Sequence, residues 1–247
     1  MAELAAAAPD APLKLIYFPL WAKGPAPALA LAHGGLAWTG ENPADWKALK
    51  PTTPWGELPV LEIPGAGALG HELAILNFLG TLSAPLRGAT AAEFLVSQQL
   101  VCEAEDVYQK LVKVQPTLYA RAKPPDGLLA FWSAADPAVH NRDFGLAIYL
   151  EHLERFAAST PGEARFTAAG CSVGECKLFA SLHALVLIRD DVLAPYPLLA
   201  AFYARFKAEP PTHEILTTGG RMPKPFKQYF IAPPEPEPSA CSSNHPS

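Results

Sequence analysis

The chain has 247 residues, half of them hydrophobic, so it can hold one large domain or two small ones with a sizeable core. Its 24 acidic and 19 basic residues give a net charge of −5, so the composition shows no excess of basic residues of the kind that nucleic-acid-binding proteins have. No apolar run approaches the roughly 20 residues that a membrane span needs. The alanine-rich start has no Lys or Arg, which argues against a signal or transit peptide.

The cysteines and the end of the chain narrow the choice further. Four cysteines are scattered along the sequence without the spacing of a zinc site. We therefore expect reduced thiols, no metal and a soluble cytoplasmic protein. Residues 232–247 are rich in proline and polar side chains and cannot bury enough apolar surface to fold, so we predict a disordered tail.

The first half of the chain alternates short apolar runs with helical segments. Residues 13–17 are predicted to form a buried strand, and residues 25–33 an Ala/Leu helix that Gly34-Gly35 ends. Further strands are predicted at 37–40, at 60–63 and within 65–70, and further helices at 43–50 and 72–82. This βαβ and then ββα order is expected of a thioredoxin-like domain, which we assign to residues 11–84.

The second half is predicted to be all-helical over residues 90–231. Apolar residues recur at the helical period from Ala91 to about residue 122, and again over 144–156. Ser172-Val-Gly-Glu175 then precedes another apolar run. This is a capping box, in which the serine hydroxyl and the glutamate carboxylate each satisfy a free amide at the helix start.

The segment from Pro54 to Glu62 combines a glycine turn with a proline at the start of a strand. Because proline cannot donate to a sheet ladder, Pro59 must stand at a strand's start or edge. A cis bond before it would leave the backbone of Leu58 free to pair with a peptide-like ligand. A trans turn is the commoner state of such bonds.

Taken with the stretch Asp45-Trp46 to Lys50 and with the helix opened by Gly70-His71-Glu72, this segment resembles the glutathione-binding half of the soluble glutathione transferases. The sigma-like, tyrosine-type members are the most similar. The Ser172 cap resembles the one on the central helix of that family, with Glu for Asp. The resemblance covers residues of about 13 to 210. It implies a cis Pro59, an all-α second domain, a homodimer and glutathione as co-substrate.

In that family a Tyr, Ser or Cys just after the first strand activates the glutathione thiol. Tyr17 matches this motif, since the first serine is Ser83 and the first cysteine is Cys102. A free thiol has a pKa of about 8.5. A hydrogen bond donated by a phenol favours the thiolate and lowers this pKa, which makes the sulfur a nucleophile. An ordinary core aromatic is the alternative for Tyr17. The absence of Cys-x-x-Cys excludes dithiol redox chemistry.

The resemblance also implies a set of binding residues. Lys23 stands where an arginine is common, and Trp46 and Lys50 match contacts to the glycine end of glutathione. Solvated or packing roles are the alternatives for these three residues. The turn residues Gly56, Glu57, Leu58 and Pro59 and the helix start at His71 and Glu72 would hold the remainder of the tripeptide.

Residues of the second domain complete the predicted site. Asp106 is the nearest match to the acid that reaches the γ-glutamyl ammonium across the dimer interface, and Glu103 and Glu105 compete with it for this assignment. Phe18, Leu20 and Tyr108 are the candidate walls of an electrophile pocket. Core packing is the alternative for each of them.

Two acids depart from the family pattern. Glu72 stands where a serine binds the γ-glutamyl carboxylate, and Glu57 where Lys or Gln is frequent. Like charges about 4 Å apart cost about 4 kcal/mol at an effective dielectric constant of about 20. We therefore expect Glu72 to weaken the binding of unmodified glutathione, unless it caps its own helix or receives the ligand's ammonium group.

The sequence thus predicts a glutathione transferase that conjugates the glutathione thiolate to small electrophiles in detoxification. A glutathione-dependent, prostaglandin-type isomerase stays open, and so does a non-catalytic binding or assembly domain. The retention of Tyr17, Trp46 and Lys50 favours catalysis, whereas the His71-Glu72 pair favours a binding role. Peroxidase or dehydroascorbate chemistry is disfavoured because it prefers an active-site cysteine.

Overall fold

The computed structural model describes residues 11–119, 128, 130–132, 145–160 and 162–231. The first half contains β1 (Leu13–Ile16), β2 (Leu20–Trp21), α1 (Pro25–His33), β3 (Trp38–Glu41), α2 (Trp46–Leu49), the 3-10 turn Lys50–Thr52, β4 (Val60–Ile63), β5 (Gly67–Gly70), α3 (Glu72–Leu82) and α4 (Ala84–Arg87). The second half contains α5 (Ala91–Val114), α6 (Leu146–Ala158), α7 (Val173–Val186), α8 (Pro197–Ala208), α9 (Pro210–Thr218) and β6 (Lys227–Gln228).

Four strands form a mixed sheet in the order β3-β1-β4-β5. β1 runs parallel to β3 and antiparallel to β4, and β4 and β5 form an antiparallel hairpin. α1 contacts α3, α7 and α9, so it joins the sheet half of the molecule to the helical half. This order agrees with the predicted βαβ and ββα units.

Most predicted elements lie within a residue or two of those observed. The helices α2 and α5 have different bounds from those predicted, and each has an identifiable cause. α2 begins at Trp46 because the Asp45 side chain accepts a hydrogen bond from the amide of Ala48 at 3.1 Å. α5 ends at Val114, well before residue 122, because Pro116 disfavours helical backbone at Gln115, which is extended with ψ 128°.

α7 runs through the centre of the helical half, with every residue except Val186 buried. Its predicted capping box is present. The Ser172 hydroxyl accepts from the amide of Glu175 at 3.3 Å, and the Glu175 carboxylate accepts from the amide of Ser172 at 2.9 Å. Gly174 lets α7 cross α5 closely, since a Cβ there would lie 2.2 Å from the carbonyl oxygen of Ser97. The cap thus anchors the helix on which the second half is built.

A two-stranded sheet was not predicted. β6 pairs in parallel with β2, Leu20 opposite Lys227 and Trp21 opposite Gln228, so the end of the described chain returns to its beginning. The predicted tail at 232–247 lies outside the described residues. Within the ranges given above, no helix is long and apolar enough to cross a membrane.

Candidate functional site

A cavity of about 460 Å³ opens between the loop before β4, the start of α3 and the middle of α5. It brings together six of the predicted glutathione-binding residues, namely Lys23, Glu57, Leu58, Pro59, His71 and Glu72. Leu73, Glu105 and Gln109 complete the lining. Leu73 and Gln109 were not predicted from the sequence, and Glu105 was named only as a competitor of Asp106.

The turn before β4 has the backbone that the resemblance implied. The Leu58-Pro59 peptide bond is cis. Gly56 has φ 67°, a left-handed conformation that favours glycine. A Cβ added to Gly56 would lie 3.5 Å from Cε of Lys50, so Lys50 lies beside this turn although it does not line the cavity.

α3 starts at the edge of the cavity without a side-chain cap. The residue before it, His71, has φ 66°, which is uncommon for a residue other than glycine, and its ring packs 5.6 Å from that of Trp55. The first amides of an uncapped helix have no intrahelical acceptor and attract an anion. The cavity therefore contains a group of backbone donors.

Four charged side chains from four parts of the chain meet beside these donors. Oε2 of Glu72 lies 3.1 Å from Nζ of Lys23 and 2.8 Å from Nζ of Lys177. Glu105 binds the same two lysines, with Oε2 at 2.8 Å from Nζ of Lys177. The side chain of Lys177 is 1% exposed and that of Glu72 is 3% exposed. We call these four residues the charge cluster.

The charge cluster corrects the expectation that Glu72 presents an uncompensated charge to a ligand. Two ammonium groups neutralise its carboxylate, so the like-charge cost expected from the sequence is largely removed. The ammonium group of Lys23 also lines the cavity and is paired there with the carboxylates of Glu72 and Glu105. Both lysines lie over the ring of Tyr108, with Nζ 4.3 Å from its centroid for Lys23 and 5.0 Å for Lys177.

Glu105 provides a test of the charge cluster by pH. Burial alone would raise its pKa, but Lys177, Gln109 and Lys23 hold the pKa at about 2. A folded-state pKa below the ordinary value contributes stability above that ordinary value, and the contribution is lost as the pH falls towards about 2. We expect Glu105→Gln to lose about 2 kcal/mol of unfolding free energy at neutral pH, allowing for partial solvation. Urea unfolding of both proteins should show the difference shrinking below about pH 4. A difference that does not change with pH would contradict this.

Tyr17 follows β1 directly and is buried. Its hydroxyl oxygen accepts a hydrogen bond from the amide of Lys23 at 2.8 Å, and burial raises the pKa of the phenol. The phenol therefore keeps its proton at neutral pH, and in the described part of the chain that proton has no acceptor. Tyr17 does not line the cavity itself but is joined to it through Lys23, whose backbone binds the phenol and whose side chain lines the cavity.

Gly24 fixes the Tyr17 ring. A Cβ at Gly24 would lie 2.1 Å from Cδ1 of Tyr17, so any larger residue must displace the ring. We expect Gly24→Ala to cost about 1–3 kcal/mol of unfolding free energy and to displace the hydroxyl from the site. Gly80→Ala is the matched control, since its Cβ would make only ordinary contacts at 3.7 Å or more. Thermal melts and turnover assays of both variants test this, and equal behaviour would contradict it.

Two further predicted binding residues lie apart from the cavity. Trp46 packs edge-on against Phe18, with ring centroids 5.5 Å apart. Asp106 is exposed on α5, whereas its neighbour Glu105 faces the cavity of its own chain. The structure therefore does not bring Asp106 into the site within one chain.

Two of the three candidate walls of the electrophile pocket contact the end of the described chain. Leu20 belongs to β2, which pairs with β6. Tyr108 packs against Phe230, with ring centroids 6.0 Å apart. Phe18 contacts the rings of both Tyr17 and Trp46. This side of the site is thus built partly by a segment that sequence patterns did not connect with it.

The comparisons with known proteins give the following matches. No protein-family model matches the chain. It is 35% identical over 96 residues to the probable glutathione S-transferase 6 of Caenorhabditis elegans, covering 38% of this chain and 41% of that protein. It is 25% identical over 222 residues to glutathione S-transferase P 2 of Bufo bufo, covering 86% of this chain and 95% of that protein. The chain thus spans less than half the length of the nematode relative that it matches.

A solved structure resembles the whole described architecture. The prostaglandin synthase D of Nilaparvata lugens superposes with a TM-score of 0.64 at 19% identity, covering 82% of this chain and 95% of that chain. This match confirms the predicted fold class, a thioredoxin-like domain followed by an all-α region. The names of the relatives also agree with the function predicted from the sequence.

Proposed function

We propose that this chain, which has the fold of the glutathione S-transferases, binds glutathione and conjugates its thiolate to small electrophiles. The observation that carries the proposal is the cavity that joins the cis Leu58-Pro59 turn to the uncapped start of α3, with Tyr17 behind it. The proposal includes a sigma-like, tyrosine-type assignment. It also includes a glutathione-binding domain at 11–84, a helical domain at 90–231, and a cytoplasmic role in detoxification.

The proposed chemistry centres on the buried phenol of Tyr17. Because the amide of Lys23 occupies an acceptor position on its oxygen, the hydroxyl proton is directed elsewhere and is available to a sulfur atom. A hydrogen bond donated to the thiolate favours that form over the thiol. The thiol proton leaves to solvent, the sulfur forms a bond to the electrophilic carbon, and the leaving group departs with its electron pair.

The rest of the tripeptide would be held by residues along the cavity. The backbone of Leu58 would pair with the cysteine residue of glutathione, as an extended peptide pairs with a strand edge. The first amides of α3 would bind the γ-glutamyl carboxylate. Trp46 and Lys50 would hold the glycine end, beside the turn at Gly56 and Glu57.

Calorimetric titration of the full chain with glutathione tests this proposal. We expect a dissociation constant between about 1 μM and 1 mM and turnover of 1-chloro-2,4-dinitrobenzene in its presence. Absence of both would contradict the proposal. Binding without turnover of any electrophile would instead indicate the non-catalytic binding module.

A glutathione-dependent isomerase is the second candidate, favoured by the structural similarity to a prostaglandin synthase D. An isomerase returns glutathione unchanged, whereas a transferase consumes one thiol for each product. Titration of free thiol during turnover therefore separates the two functions.

We propose that the chain forms a homodimer. Trp55 is 66% exposed and Leu95 61% exposed, and Phe94 is also exposed. A cavity of about 560 Å³ lies between α5 and α6 and is lined in part by Leu95, Leu153 and Phe156. Exposed apolar surface of this kind marks interaction sites. We expect a species of two chains in sedimentation velocity experiments, and dissociation in Leu95→Asp. A monomeric native protein would contradict the proposal.

A further inference from the structure

The end of the described chain is fixed on both of its edges. On one edge β6 pairs with β2, and the amide of Lys227 donates to the carbonyl oxygen of Pro19 at 3.1 Å. On the other edge the amide of Leu118, just after α5, donates to the carbonyl oxygen of Tyr229 at 3.1 Å. We call residues 227–231 the strap. Because its backbone is bound on two sides, the side chains that it carries have fixed positions beside the site.

The strap brings a third phenol close to those of Tyr17 and Tyr108. The Tyr229 ring lies 5.0 Å from that of Phe230, which in turn packs against Tyr108, and Tyr229 is half-buried. Burial raises the pKa of Tyr17 and of Tyr108, and the neighbouring phenol of Tyr229 adds to this effect in both. Such an electrostatic effect falls off with distance. The three phenols therefore lie near one another, on the side of the site that the strap closes.

Of these three phenols, that of Tyr229 is the one available to a second reactant. The Tyr17 hydroxyl is assigned to the sulfur of glutathione, and Tyr108 is 5% exposed and lies beneath the ammonium group of Lys23. The hydroxyl of Tyr229 forms no hydrogen bond with any residue that the structure describes. A phenol can donate one hydrogen bond. Tyr229 thus provides an uncommitted donor next to the phenol that faces the sulfur.

A donor at this place favours electrophiles in which negative charge develops on an oxygen. When a thiolate adds to an α,β-unsaturated carbonyl compound, the sulfur bonds to the β-carbon and the electron pair of the C=C bond moves to form an enolate. The negative charge then lies largely on the carbonyl oxygen, where a donated hydrogen bond stabilises the transition state more than the reactants. Solvent returns a proton to the α-carbon, so the thiol S–H adds across the double bond. Displacement of chloride from a benzylic carbon places the charge on the chloride instead.

We propose that Tyr229 of the strap is a further catalytic residue, which donates a hydrogen bond to the carbonyl oxygen of the electrophile and so directs the site towards α,β-unsaturated carbonyl compounds. This inference rests on the proposed transferase function and adds to it a residue that acts on the second substrate. Sequence patterns gave no sign of this residue, because it reaches the site only through the pairing of β6 with β2.

Tyr229→Phe tests the proposal, since it removes the hydroxyl and keeps the ring that contacts Phe230. We measure kcat/KM of the full chain at saturating glutathione with two electrophiles, trans-2-nonenal and 4-nitrobenzyl chloride. With nonenal the variant should lose about 10- to 100-fold, because a donor to the developing oxyanion is gone and water replaces it only in part. With the chloride it should stay within about 2-fold of native. Tyr119→Phe is the matched control and should keep both native values, since Tyr119 lies 6.4 Å from the Tyr229 ring but is 75% exposed.

The results with the two electrophiles distinguish the role of Tyr229 from the transferase function itself. Equal losses with both electrophiles in Tyr229→Phe would mean that the hydroxyl supports the fold or the thiolate, and would overturn the inference. An undiminished rate with nonenal would also overturn it, as would a loss specific to nonenal that appears in Tyr108→Phe and not in Tyr229→Phe. In each of these cases, conjugation of 4-nitrobenzyl chloride by the native protein leaves the proposed function standing. A native protein that conjugates neither electrophile would overturn both.

Discussion

Tyr17→Phe is expected to lower kcat/KM for glutathione conjugation by about 100-fold while leaving the affinity for glutathione within a few-fold of native. The substitution keeps the buried ring against Gly24 and removes only the hydroxyl. The bound thiol then loses its hydrogen-bond donor and ionises closer to its ordinary pKa of about 8.5. The activity of the variant should therefore rise with pH over a range where native activity has already levelled off.

The pH profile and the ultraviolet absorbance of the bound thiolate provide the measurement. Burial raises the pKa of Tyr17, so the native phenol stays protonated and donates throughout the neutral range. Tyr149→Phe is the control, since Tyr149 lies on α6 and outside the cavity lining. An unchanged pH profile in Tyr17→Phe would show that the phenol does not stabilise the thiolate. A large loss of unfolding free energy would instead indicate that the Tyr17 hydroxyl stabilises the fold through its hydrogen bond with the Lys23 amide.

The second large effect is expected at Lys177. Lys177→Met should lower the unfolding free energy by about 3–5 kcal/mol, because it removes the buried partner of Glu72 and leaves that carboxylate with only Lys23. Lys113→Met makes the same change at an exposed position of α5 and should cost less than about 0.5 kcal/mol. Urea unfolding of both variants measures the difference.

The double variant Lys177→Met with Glu72→Met separates charge from packing. Replacing a buried ion pair with apolar side chains of similar size is often neutral, so the double variant should recover most of the stability. The coupling energy from the double-mutant cycle then reports the interaction itself. If the two substitutions simply add, the losses come from packing and Lys177 does not compensate Glu72.

The sequence was informative wherever a local pattern decides the structure. The Ser172-Glu175 cap, the Pro59 turn and the helix that starts at Glu72 each depend on residues close together in the chain. The assignment of Tyr17 came from its position after the first strand and from the family resemblance. The structure shows its phenol buried and hydrogen-bonded to the Lys23 amide, and its catalytic role stays a prediction.

The charge cluster could not be predicted in the same way. Glu105 and Asp106 are adjacent acids. Glu105 faces the cavity because of the rotational orientation in which α5 packs against α7, and the sequence does not specify that orientation. One sequence feature could have indicated that Lys177 is buried, namely its position two residues after the capping box within an apolar run. A buried cation needs partners, but those partners lie on other elements, and sequence spacing does not locate them. The pairing of β2 with β6 left no local pattern at all.

The pairing of β2 with β6 also has a consequence for how the protein is made. The two strands lie about 200 residues apart, so at about 5–20 residues per second the ribosome adds the second strand roughly ten seconds or more after the first. Until then the backbone edge of Leu20 and Trp21 has no partner, and Tyr108 lacks Phe230. The walls beside Tyr17 are thus completed only after residue 230 has been synthesised. A protein shortened before residue 227, or fused so that β6 is displaced, would keep its main sheet and lose this part of the site.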